Sequence, residues 1–151
     1  MVYIIILGVL VVALAPLWHF KPTKRQKHQA AMREAAALSG LFVEMRDLPL
    51  PAPQLERLAA SERQVLYYGC RLTPSLHTVD GKQSWWRRDA EWESNPRRAG
   101  APQILSRLPQ SVLAIACSND SCGLYWREEG SVEEVRELAG ILFDWRDSFV
   151  R

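Results

Sequence analysis

Three cysteines and a histidine are the side chains of this chain best suited to ligate a metal or carry redox chemistry: Cys70, Cys117, Cys122 and His77. Three thiolates and one imidazole would complete a tetrahedral zinc set. The spacing opposes that reading. Four residues separate Cys117 from Cys122 and six separate Cys70 from His77, whereas structural zinc ligands usually come in pairs about two to four residues apart. Cys70 and Cys117 also stand in apolar stretches, where free cysteine is a common small buried residue. An odd number of cysteines cannot close into a disulfide framework within one chain, which fits a reducing compartment. A metal or thiol site and three buried thiols therefore both remain open.

A second cluster interleaves aromatic and basic residues: Trp85, Trp86, Arg87, Arg88 and Trp92, followed by Arg97 and Arg98. That mixture can stack bases and neutralise phosphates, and Trp and Arg also dominate protein interfaces. On a strand, Trp86 and Arg88 face one way while Trp85 and Arg87 face the other, so one continuous surface would need a helix or a bulge. Asp89, Glu91 and Glu93 lie close by. The expected role is contact with a protein partner, with internal packing as the alternative, and no nucleic acid is expected. Ser75, His77 and Asp80 resemble hydrolase side chains, but the chain has no Gly-x-Ser-x-Gly elbow, glycine-rich phosphate loop or His-Glu-x-x-His pair. Neither catalysis nor a cofactor is expected.

The elements that must carry these residues indicate an α+β domain. Thr23 to Ser39 is rich in alanine and other helix formers, with Gly40 where a C-cap belongs. Leu41 to Met45 reads as a short strand, the proline-rich stretch from Asp47 to Pro53 as a stiff connector, and Gln54 to Glu62 as a short helix. Gln64 to Leu72 and Ser84 to Glu93 read as strands, paired as a hairpin, and Gln103 to Leu108 as one or two helical turns. Val112 to Cys117 and Gly123 to Glu128 flank Ser118-Asn119-Asp120-Ser121, all turn formers, and give the clearest hairpin. Ser131 and Glu134 form a capping box ahead of a periodic face of Val132, Val135, Leu138, Ala139, Leu142, Trp145 and Phe149. The expectation is an antiparallel sheet of four or five strands, covered by this C-terminal helix.

Ahead of the domain, Val2 to Phe20 contains only one residue able to carry charge, His19. At about 1.5 Å per residue such a run just spans a hydrocarbon core of about 30 Å. Lys21, Lys24, Arg25 and Lys27 follow it, and no Lys or Arg precedes it. A cleaved signal peptide would carry its cations on the other side, so the run reads as an uncleaved anchor. The positive-inside rule then places the N-terminus outside and the domain in the cytoplasm. Trp18 and His19 fall at headgroup level, and the cations can also meet anionic lipid.

The net charge of +2 and pI near 8.5 come from this collar. Taking Lys21, Lys24, Arg25, Lys27 and Arg33 from the nineteen Lys and Arg leaves fourteen against seventeen Asp and Glu, a balance of −3 over residues 34–151.

The apolar run, Lys21-Pro22-Thr23-Lys24-Arg25-Gln26-Lys27-His28-Gln29 and then Met32 resemble the start of YajC, the small accessory subunit of the bacterial preprotein translocase. The resemblance covers residues 3–32 and implies a single span in a bacterial inner membrane. Beyond it the chain departs, since the glycine-rich short-strand segment of that family does not follow the collar.

The organisation expected is therefore an anchor over 1–20, a basic collar with a juxtamembrane helix over 21–40, and an α+β soluble domain over 41–151. The function expected is a non-enzymatic interaction or assembly module of a bacterial inner-membrane complex. The alternative is a membrane-tethered metal or thiol module using Cys70, Cys117 and Cys122.

Overall fold

Ser131 begins the last helix by accepting a hydrogen bond from the Glu134 N–H at 3.2 Å, which satisfies one of the donors a helix start leaves open. In the computed structural model, which describes residues 2–14, 22–73, 79, 81–96 and 100–150, this helix runs Val132–Asp147. Its apolar stripe buries Val135, Leu138, Ala139, Leu142 and Trp145. Burying each of the larger side chains contributes roughly 1.5–3 kcal/mol.

The chain divides into two compact units, Met1–Ala30 and Ala31–Arg151. The first holds helix α1 (Val2–Leu14) and the start of α2 (Lys24–Leu38). Thr23 and Gln26 cap α2 reciprocally, Gln26 N–H to Thr23 Oγ1 at 3.2 Å and Thr23 N–H to Gln26 Oε1 at 2.8 Å. No helix among the described residues is long and apolar enough to cross a membrane. The 13 residues of α1 reach about 20 Å at 1.5 Å each, and residues 15–20 of the apolar run lie outside the described residues.

The second unit begins within α2, where Met32, Ala35 and Ala36 are buried in the domain core. Gly40 then adopts φ +85°, a conformation that favours glycine. Its N–H reaches Ala37 O at 3.0 Å and the Leu41 N–H reaches Ala36 O at 2.9 Å, the paired bonds of a Schellman stop.

Among the described residues six strands follow: β1 (Phe42–Asp47), β2 (Gln64–Arg71), β3 (Gln83–Arg88), β4 (Glu91–Asn95), β5 (Val112–Cys117) and β6 (Ser121–Trp126). They form one sheet in the order β1-β2-β6-β5-β3-β4, with every neighbouring pair antiparallel. Two sequence expectations are corrected. The Ser84 to Glu93 stretch is a hairpin of two strands, turning at Asp89 with φ +53°, which brings the strand count to six. Strand β2 pairs with β1 and β6, not with β3. Between the strands, α3 (Ala52–Leu55) and α4 (Ala60–Arg63) stand where one helix was expected, and a 3-10 helix spans Gln103–Arg107.

The sheet is covered on both faces. One packs Tyr68, Cys70, Trp85, Ile115, Cys117, Cys122, Leu124 and Trp126 against α2, α5 (Val132–Asp147) and the 3-10 helix. The other gathers Tyr67, Trp86, Ala114, Ala116 and Tyr125, with Leu48 and Leu50 of the proline-rich connector laid against them.

Candidate functional site

The register brings all three cysteines into one row. Cys70 on β2 is opposite Cys122 on β6, which is opposite Cys117 on β5. All three belong to the helix-covered core and are free and buried. The Cys70 and Cys122 Sγ atoms are 3.2 Å apart, with Leu142 O of α5 at 4.0 Å from Cys70. Hydrogen bonding to Cys122 and then burial push the Cys70 thiol well above its ordinary value, and hydrogen bonding to Cys117 heads the causes that raise Cys122. Both are held as thiols in the closed fold, and a thiol is a poor nucleophile and a poor ligand.

A row is not a cage. Adjacent strands lie about 4.8 Å apart, so the backbones of Cys70 and Cys117 stand about 10 Å from each other. One zinc holds its sulfurs at about 2.3 Å and so no more than about 4.6 Å apart. Among the described residues no group of three or more His, Cys, Asp or Glu could hold a metal ion. His77 lies outside the described residues.

The tryptophan and arginine cluster divides between the two sheet faces. Trp85, 3% exposed, packs edge-on to Trp145 at 6.1 Å between ring centroids in the helix-covered core. Trp86, 6% exposed, lies in the other. The indole N–H of each is buried without an acceptor among the described residues. Arg87 stacks on the half-buried Trp92 at 4.8 Å and reaches the Leu108 and Pro109 carbonyls at 3.4 and 3.3 Å. Arg88 is exposed and paired to Glu93 at 2.9 Å. A single exposed patch of the five residues is therefore not formed, because strand alternation sends neighbouring rings to opposite faces. Trp85 helps line a groove of about 400 Å³ with Ile104, Ile141, Trp145 and Phe149, whereas Trp86, Arg88 and Glu93 help line a hollow of about 530 Å³ on the other face.

Of the collar, Lys24, Arg25 and Lys27 project from α2 and are exposed. Lys21, Trp18, His19, Arg97 and Arg98 lie outside the described residues. Arg33, counted with the collar in sequence, instead pairs with Glu128, a residue that sequence reading passes over. Glu128 follows β6, is 6% exposed and holds φ +55°. Its carboxylate accepts bonds from Arg33 Nε and Nη2 at 2.7 and 2.8 Å and from the Tyr68 hydroxyl at 2.7 Å. Three donors on one buried anion satisfy the desolvated charge. In sequence Glu128 reads as the last residue of the Gly123 to Glu128 strand, whereas β6 ends at Trp126, and an acidic residue two before Gly130 normally marks a solvated turn.

Comparison with family models, with curated proteins and with solved structures gives no match to this chain. The functional reading therefore rests on the residues themselves.

Proposed function

We propose that this chain is a single-pass, membrane-anchored interaction or assembly module of a bacterial inner-membrane complex, with no catalysis of its own. The observation that carries this reading is α1. Tyr3, Ile4, Ile5, Ile6, Leu7 and Val9 are each at least half exposed on a helix without a charged residue. Leaving such side chains in water forgoes roughly 1.5–3 kcal/mol apiece relative to burial, and a bilayer supplies the missing apolar environment. In sequence the apolar run continues to Phe20 and meets Lys21, Lys24, Arg25 and Lys27. That order supports an N-terminus outside and a cytoplasmic domain.

The partner is a protein. Trp85 and Trp86 lie inside the fold, so contact falls to the residues of the same hairpin that remain at the surface. Strand β4 is an edge of the sheet, the place where an added strand can pair. Exposed Arg88, facing Glu93, supplies charge beside it. Purification of the full chain from membranes in mild detergent, followed by size analysis, tests this role. A complex larger than the monomer, weakened by Arg88→Glu, is expected. A strictly monomeric protein with no associated chain overturns it.

A further inference from the structure

We propose that Cys70 and Cys122 form a reversible disulfide across β2 and β6, closed by a small-molecule disulfide of the glutathione type, with Cys117 left as the free thiol. The inference goes beyond the membrane reading and does not depend on it.

Register and hydrogen bonding carry the assignment. The two cysteines are direct partners in the ladder. The Leu72 N–H donates to Asp120 O at 2.8 Å, and antiparallel partners alternate between bonded and non-bonded pairs, so the pair two positions along, Cys70 with Cys122, is again of the bonded kind. Such pairs have Cα atoms about 5.5 Å apart, inside the disulfide range of about 4.4–6.8 Å. Both side chains enter the same core, and their sulfurs are already at 3.2 Å. Closing to a bond of about 2.05 Å therefore needs an approach of only about 1.2 Å. Cys117 also lies opposite Cys122 and hydrogen-bonds to it, while its Sγ also meets the Ser118 carbonyl at 3.9 Å. Both sulfurs interact with Cys122, and the 3.2 Å approach of the Cys70 Sγ is the contact that favours Cys70 as the partner.

The exchange proceeds in two balanced steps. The thiolate of one cysteine attacks the small disulfide, forming a mixed disulfide and releasing one small thiol, which takes up a proton. The second cysteine loses its proton and attacks the protein sulfur of that mixed disulfide, releasing the second small thiol. Two protein thiols are oxidised and one small disulfide is reduced. Burial at 1% and 0% exposure keeps oxidant out of the closed fold, so the reaction is slow and limited by opening of the helix cover. The bond ties together two interior strands and acts as a lock set by the redox state of the surroundings.

The test uses the full chain in detergent, incubated with excess oxidised glutathione at mildly alkaline pH until the thiol count is constant. The protein is then denatured, alkylated and mapped by peptide mass. The free-thiol count should fall from three to one, with Cys117 alkylated and the Cys70 and Cys122 peptides joined. Dithiothreitol should restore all three. Cys117→Ser, which leaves the pair intact, should give the same linkage and no free thiol. Three free thiols at the plateau, glutathione retained on the protein, a Cys117–Cys122 bond or a bond between chains would overturn the proposal.

Discussion

Arg33 holds both oxygens of the Glu128 carboxylate, Nε at 2.7 Å and Nη2 at 2.8 Å, and so fixes α2 to the segment that follows β6. The Glu128 side chain is 1% exposed and that of Arg33 46%. Removing one partner of a buried pair costs about 3–5 kcal/mol, because the other charge is stranded. The half-exposed guanidinium places Glu128→Ala near the lower figure, about 3 kcal/mol. Arg33→Ala should cost at least as much, since it leaves the anion buried with Tyr68 as its remaining described partner. Urea unfolding of both single variants and the double variant checks this, with strongly non-additive losses expected.

Three tyrosines give the fold an alkaline limit. Burial raises the phenols of Tyr67, Tyr68 and Tyr125 above the ordinary value of 10.0. A raised acid is stabilising in its protonated form, so this contribution is fully present below pH 10. It is lost as pH rises above that value, by up to about 1.4 kcal/mol per pH unit for each phenol. Phenolate absorbance followed against pH should therefore show these three ionising together with cooperative unfolding.

Two glycines should respond in opposite directions to the same substitution. A Cβ at Gly123 would collide with the Tyr68 carbonyl and approach the Tyr67 ring to 2.5 Å, and backbone cannot yield. Gly123→Ala should cost about 3 kcal/mol, the upper end for an overpacked core. Gly140 is exposed on α5, with nothing among the described residues within 4 Å of a new Cβ. Gly140→Ala should add about 1 kcal/mol through helix propensity alone. Thermal melts of the two variants should move apart.

Trp85 and Arg88 separate core from surface within one strand. Trp85→Ala should lose about 3–5 kcal/mol by emptying the space beside Trp145. Arg88→Ala should leave the unfolding midpoint in place while reducing the amount of partner recovered in detergent. Unfolding and recovery measured on the same preparations distinguish the two roles.

What sequence could show depended on how local the signal was. Helix α5 was legible because its Ser131 cap and apolar period lie within one segment, and the β5–β6 hairpin because four turn formers divide two apolar runs. The β3–β4 turn was hidden because Asp89 adopts positive φ next to Ala90 instead of the glycine that usually marks such loops. The pairing of β2 with β6 joins residues about fifty positions apart, which local periodicity does not encode. The cysteine row was visible only as a set of residues until that register aligned them. Glu128 was illegible for another reason: its partner, Arg33, lies 95 residues away, and a glutamate followed by Glu129 and Gly130 reads as solvated.

Membrane anchoring is tested most directly by alkaline carbonate extraction of cell membranes containing the full chain, beside a form lacking residues 2–20. The full chain should stay in the membrane pellet, with its domain cleaved by protease only after the inner membrane is opened, and the shortened form should be released. Release of the full chain by carbonate, or cleavage of its domain in intact spheroplasts, would contradict an N-out anchor with a cytoplasmic domain.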